Sequence, residues 1–526
     1  TTINGGKLQI NNAGGSLAWT PGLININNGS TLEFTGAGQT IMSGATDNIT
    51  FDSNGGGSMV MTKNTIWRNA SIITTGGAKN TVSGTNFNGQ AAGGSNRVIY
   101  GVAAGTDLGG IDLEVSSEHR NVGGITKNGN GTLALTNNTN AMGAGATIII
   151  NAGTVEIGGA GRLQSGSYAG AITNNGTFNY NSSADQTLSG VISGNGALVK
   201  SNASTLTLSG ANTYTGATTL NQGTITFGTG TLATTTGALS VNNTNTTAAG
   251  TAAVLNLSTA ADTTTGSLSG SISAPISGTN TATINTQTGR TLTVNQTADD
   301  TYAGVIAGAG NFTLGSLSTN TLTLTGTNTY TGGTTVSAGT LRLLNSAGGD
   351  AILGSGHNYV VASGATLEFN RTAGIENIST FNLSGAGTFK TSGTAPIVQT
   401  SLGSTVAMGS GALFHVESGS YQFGAGGIGS WSSNLSDMQV DSGATFDGAA
   451  TPTVVNALNG SGTVLTGGGI TLGVDNGSGT FSGVIGNSSN GGSAFSITKV
   501  GSGTQTLSGA NTYTGSTNID GGFLRI

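Results

Sequence analysis

One stretch of this chain occurs three times with its spacing unchanged. The copies read TLTLSGANTYTGATTLNQGTITF (205–227), TLTLTGTNTYTGGTTVSAGTLRL (321–343) and TQTLSGANTYTGSTNIDGGFLRI (504–526). Leu208 and Leu220, Leu324 and Val336, and Leu507 and Ile519 hold matching places in them, as do Ile225, Leu341 and Leu524 further on. A looser copy at 131–157 lacks the tyrosine and is longer between Leu135 and Ile150. A second element with a G-V-I core precedes each strong copy: ADQTLSGVISG (184–194), ADDTYAGVIAG (298–308) and TFSGVIG (480–486). Shorter echoes such as GSTLEF (29–34), GATLEF (364–369) and GAGTFK (385–390) fill the gaps. Self-similarity on this scale is the signature of a fold that stacks one small unit on the next.

The unit itself is strand and turn. In T-L-T-L the leucines alternate with threonines, the period of a strand with one buried face. The S-G-A-N-T and x-x-G-T segments between strands carry turn chemistry. Composition agrees. The chain has 94 glycines, 4 prolines and no cysteine, and only 7% of its residues are charged. Gly, Asn, Ser and Thr are poor helix formers but suit short strands joined by tight turns. Disorder is the competing outcome of such a composition, yet 35% of residues are apolar and net charge is only −6. One unit buries too little to stand alone. The expected architecture is all-β: parallel coils of about 20–25 residues stacked about 4.8 Å apart, with aliphatic columns inside and threonines outside. Asparagines at equivalent turns are placed to form ladders. One continuous solenoid over 1–526 is expected, as a single elongated rod.

The stretches at 208–225, 324–341 and 507–524 share L-[ST]-G-x-N-T-Y-T-G-x-T-x-[LIV]-x-x-G-x-[LI]. This pattern resembles the autotransporter-associated β-strand repeat of type V secretion passengers. The resemblance implies a right-handed parallel β-helix outside the cell, at or beyond the bacterial outer surface. It implies no defined activity, because such passengers serve many functions. The resemblance also implies a C-terminal membrane barrel; this sequence stops inside a repeat at Leu524-Arg525-Ile526, so the expectation is either a fragment of a longer protein or another route or partner for anchoring.

Residues for chemistry are thin. The three histidines, His119, His357 and His415, are far apart and form no metal-ligand pattern. No cysteine is available for a thiolate site, and no metal or cofactor is expected. Asp299-Asp300 aligns with Asp185-Gln186 of the previous copy, so one acid is read as a repeat position at a turn rather than as half of a catalytic pair. The weakly acidic balance offers no footprint for nucleic acid. No apolar run is long enough to span a membrane as a helix.

Charge is densest at 107–127. Asp107, Asp112, Glu114, Glu118, His119 and Arg120 are the candidate partner-binding residues, with Lys127 just beyond. This segment departs from the repeat. The favoured reading is a solvated or ion-paired face, with Ile111, Leu113 and Val115 inward and Asp112 and Glu114 outward; the alternative is that residues 100–127 protrude as an irregular loop that binds a partner. Phe414, Tyr421, Phe423 and Trp431 alternate as inward stacks rather than as a sugar platform. Tyr214, Tyr330 and Tyr513 hold one repeat position and are expected to cover the coil corner, each hydroxyl reaching a backbone group. Asn212, Asn328 and Asn511 are expected to fix the adjacent turn.

Three functions compete. The favoured one is an extracellular structural or adhesive surface protein that self-associates end to end or laterally, or binds a cell-surface glycan or protein. A polysaccharide-degrading β-helix enzyme would instead show carboxylates with Arg or Lys on one face of consecutive rungs. An ice-binding solenoid would show a regular threonine array.

Overall fold

The computed structural model describes residues 1–526 apart from 13, 15, 20–22, 28, 37–38, 43–47, 52–54, 63–64, 68–69, 90–95, 106–109, 229–236, 247–249, 258–261, 275–277, 346–356, 374–375, 379–380, 400–403, 424–428 and 490–493. The described residues are strands and turns, with one 3-10 turn at Gln164–Gly166. Among the described residues no helix is long and apolar enough to cross a membrane. They form two compact units, 1–261 with 272–281, and 262–271 with 282–526.

Both units are parallel β-solenoids, as the alternation of small strands and turns requires. In the first unit a turn of the coil gives strands to three parallel sheets. One turn, for example, supplies Leu23–Ile26, Thr31–Gly36 and Gln39–Met42 to three separate sheets. Each strand pairs in register with its equivalent one turn on. Leu8, Leu32, Met59, Val82, Val115, Leu135, Ile157, Tyr180, Lys200, Leu220 and Val241 follow one another in a single column. From Leu32 onward every member is buried. The intervening Thr, Ser, Gln and Glu face outward, which is what a period of two demands of a half-buried strand.

The second unit repeats the scheme. Leu322, Leu341, Leu367, Phe389, Phe414, Met438 and Leu458 pair in one inward column. Aromatic rings fill this interior. Phe389 and Phe414 lie 4.9 Å apart between centroids, Phe414 and Trp431 5.0 Å, and Phe414 and Tyr421 5.2 Å. Phe414, Tyr421, Phe423 and Trp431 are all buried, so the inward-stack reading holds and no sugar platform exists there.

The repeat leucines carry the fold. Leu208, Leu324 and Leu507 are at most 1% exposed. The glycine of x-x-G-T has a backbone reason. Gly223 and Gly339 have φ of +77° and +68°. A Cβ on Gly223 would stand 2.4 Å from the Asn202 carbonyl oxygen of the preceding turn. Glycine alone meets both conditions without cost.

Turn length varies without disturbing register. In the 321–343 copy the turn Gly315–Asn320 places Leu317 in solvent at 69% exposure. Ser318 holds its base, its hydroxyl donating to the Val294 carbonyl at 3.2 Å and accepting from the Gln296 amide at 2.9 Å. Leu314 still pairs with Val336, and Thr321 with Thr340.

The segment at 100–127 does not protrude where it is described. Leu113–Val115 and Gly124–Asn128 are strands in register with the turns on either side, and Glu118–Arg120 pairs with Asn86–Asn88 of the preceding turn. Its apolar residues alternate as in any rung, and that alternation outweighs the charge between them. Asp107 lies outside the described residues.

Candidate functional site

The repeat's polar residues are placed by the strands that flank them. Asn212, Asn328 and Asn511 sit where the chain leaves T-L-T-L, and each turns back to the G-V-I strand of the preceding turn. Their Oδ1 atoms accept the amides of Ile192, Ile306 and Ile485 at 3.0, 2.8 and 3.0 Å. Each asparagine joins two turns of the coil, and Asn328 also fixes its own turn as expected, its Nδ2 donating to the Gly326 carbonyl at 3.1 Å. The bond between turns explains why the G-V-I element precedes each strong copy. The looser copy keeps the device, with Asn140 Oδ1 accepting the His119 amide at 3.1 Å.

The tyrosines are buried in the first two copies, and where a backbone partner was expected the bond described for each hydroxyl is to a repeat threonine. Tyr214 bonds Thr218 Oγ1 at 2.8 Å, Tyr330 bonds Thr334 Oγ1 at 2.6 Å and Tyr513 bonds Thr517 Oγ1 at 2.9 Å. The next repeat threonine is inward-facing and lies within reach of the ring's tip. Burial pushes Tyr214 and Tyr330 up to about 12, partly offset by the threonine bonds. These phenols stay protonated.

Three lysines of the repeat point inward, which the sequence reading missed. Lys127, Lys200 and Lys499 are fully buried, each at the end of the strand before x-G-T or its equivalent. Lys127 Nζ donates to the carbonyls of Asn128, Gly129 and Ala152 at 3.0, 2.6 and 3.2 Å. Lys200 Nζ donates to those of Ser201 and Asn202 at 2.7 and 2.6 Å and lies 5.7 Å from the Tyr180 ring centroid. Burial pulls both down to about 8, against the opposing pull of Asp112 and Asp185 respectively. Their shared place two residues before a left-handed turn residue, Gly129, Asn202 or Gly501, was the available signal.

The candidate partner-binding residues divide. Asp112 is buried, not outward: it accepts the Gly105 amide at 2.5 Å and the Thr132 amide at 2.7 Å. The carboxylate supplies acceptors that the turn backbone lacks. His119 is fully buried, between Tyr100 and Asn140. Glu114 pairs with Lys79 at 2.8 Å and Glu118 is half-buried, while Arg120 is exposed. Asp299 accepts the Thr321 amide at 2.7 Å, as Asp185 accepts that of Thr205 at 2.8 Å. The first acid of Asp299-Asp300 is a repeat position, and its backbone bond from Thr321 holds it below the ordinary carboxylate range.

The charge that the sequence scattered is gathered on the second unit. Arg342, Glu368, Lys390, His415 and Gln439 occupy one outward column on consecutive strands. Arg342 Nε lies 2.8 Å from Glu368 Oε2, and Lys390 Nζ lies 3.8 Å from Glu368 Oε1 and 2.7 Å from Glu417 Oε1. His415 Nε2 lies 2.8 Å from Asp441 Oδ2. A charged column of this kind is what a polysaccharide-degrading enzyme would carry, and the electrostatics of its buried carboxyl bear on that reading. Glycoside hydrolysis requires one carboxyl kept protonated near neutral pH. Burial pushes Glu368 up, but hydrogen bonds from Ser392 and Arg342 and the charges of Arg342 and Lys390 outweigh it and hold the carboxyl below its usual range. Its side chain is only 4% exposed. Asp437 is raised, by burial first, but it lies three strands beyond Glu368, about 14 Å at strand spacing. Catalytic carboxylates stand about 5–9.5 Å apart. The column is an ion-pair ladder. Among the described residues no three His, Asp or Glu side chains group as metal ligands.

Four segments, 125–157, 198–227, 317–343 and 497–526, match the passenger-associated-transport-repeat. They contain the three strong copies and the whole of the looser one. No curated protein and no solved structure matches the chain. With the repeat model matched at four places on parallel β-solenoid units, the chain is similar to autotransporter passenger-like repeat proteins and carries the passenger-associated-transport-repeat.

Proposed function

We propose that this chain is a structural and adhesive component of a bacterial outer surface, without catalytic activity. The repeat family implies a secreted or outer-surface protein. One observation carries the finer reading: the repeat's polar side chains are committed to the coil. Asn212, Asn328, Tyr214, Tyr330, Lys127 and Lys200 are buried and bonded within the stack. What the motif encodes is stacking, and function falls to outward residues and turns. Glu114, Glu118 and Arg120 are the partner-facing candidates, for a cell-surface glycan or protein. Self-association, end to end or lateral, is the second partner mode.

The test is to incubate the purified chain with a panel of polysaccharides and with glycan- and cell-coated surfaces. Retention on a surface, reduced in a Glu114→Ala/Glu118→Ala/Arg120→Ala variant, and no release of reducing ends are expected. Sugar release that survives further purification would overturn the reading.

A further inference from the structure

His119 is the most fully enclosed titratable group in the charged segment, and its bonds admit one protonation state. Nδ1 lies 3.1 Å from Asn140 Oδ1, an acceptor, so Nδ1 carries the proton. Nε2 then accepts from the Tyr100 hydroxyl at 2.7 Å. Asn140 is itself fixed, its Nδ2 donating to the carbonyls of Asn137 and Arg162 at 2.9 and 3.0 Å. The Phe87 ring centroid stands 5.3 Å away, and Trp67 lies 5.1 Å beyond Phe87.

A second proton has no place here. With Nε2 protonated, the Tyr100 oxygen would have to accept, and its own O–H would face the core. Burial holds Tyr100 well above the ordinary phenol value, so it cannot become a counter-ion. The charged group facing this site from the next turn is Lys127, in register with Tyr100, and it is a cation. Phe87 and Asn140 contribute no charge.

We propose that His119 is an acid sensor built into the first unit: protonation of its imidazole opens the turn made by 97–102, 118–120 and 137–142. Burial lowers the ring to about 4 in the fold, against about 6.5 unfolded. Above pH 6.5 neither state binds the proton and the site costs nothing. Between about 6.5 and 4 the unfolded turn binds it and the folded one does not, so stability falls as pH falls. Contacts in a solenoid run mainly between neighbouring turns, so the opening is local.

Hydrogen exchange of the full chain from pH 7.5 to 4, corrected for intrinsic rates, tests this. Amides of 97–102 and 118–120 are expected to lose protection at least about tenfold over that window, while 205–208 keep theirs. His119→Gln, a neutral side chain of similar reach, is expected to remove the pH dependence. Flat protection in the wild type, or an unchanged loss in His119→Gln, overturns the proposal. Should His119→Gln already lack protection at pH 7.5, the wild-type ring decides by carbon-13 NMR of its Cε1. Protonation coincident with loss of protection supports the sensor; protonation at the usual value with protection intact overturns it.

Discussion

The carboxamide of Gln505 holds both backbone groups of Leu458, two strands away. The Leu458 amide donates to Oε1 at 3.0 Å, and Nε2 donates to the Leu458 carbonyl at 2.7 Å. Between them runs Gly479, in register with Gln505. A Cβ there would stand 2.8 Å from Gln505 Oε1 and 2.5 Å from the Leu458 oxygen. The glycine is a gap through which a side chain skips one turn. Gly479→Ala is therefore expected to cost on the order of 2–4 kcal/mol of local stability. Hydrogen exchange at 458–460 would measure it, and an unchanged rate would remove the gap's importance.

The three motif tyrosines make the same bond at different burial, which separates packing from position. Tyr214→Phe and Tyr330→Phe each lose a buried hydroxyl bond and are expected to cost about 0.5–1.5 kcal/mol. Tyr513 bonds its threonine in an exposed setting, and Tyr513→Phe should fall within about 0.5 kcal/mol of wild type. Urea unfolding of the three variants, side by side, checks the order.

Asn328 is wholly buried. Asn328→Leu leaves the Ile306 amide without the acceptor described for it and should cost about 1–3 kcal/mol. Faster exchange at Ile306 than at Phe312 would be the specific mark.

The buried lysines set a pH slope of the same sign as that of His119, in a higher pH window. Unfolded lysine keeps its proton to about pH 10.4, while Lys127 and Lys200 give it up near 8 in the fold. Between those values the unfolded chain binds more protons, so stability rises with pH. A Lys127→Met/Lys200→Met variant should lose this rise, worth on the order of 1 kcal/mol per pH unit and lysine. Urea midpoints at pH 8 to 9.5 would show it as a flattened slope relative to wild type.

Much of the fold was legible because strand alternation and turn glycines are local properties. Leu208 and Leu324 went inward where period two placed them, and parallel stacking followed from the recurrence of the unit. The polar partners were not legible. Whether Asn212 bonds its own turn or Ile192 depends on the register between turns, which no single copy contains. Lys200 reads as a surface residue because lysine usually is one; only the carbonyls that converge on it show otherwise. The ladder from Arg342 to Asp441 was hidden for a related reason. Its members stand some two dozen residues apart in sequence, with |i−j| of 26 for both Arg342–Glu368 and His415–Asp441, and meet only after winding.

Leu317 shows what such winding permits. Its turn is lengthened and carries an aliphatic side chain into water, yet Leu314 and Thr321 on either side keep the partners that shorter turns give them. The pairing that guides the coil is thus uncoupled from the chain that bridges its strands. New recognition sequence can be spliced into such corners in evolution, or grafted there in the laboratory, and the scaffold beneath will not have to be reinvented to carry it.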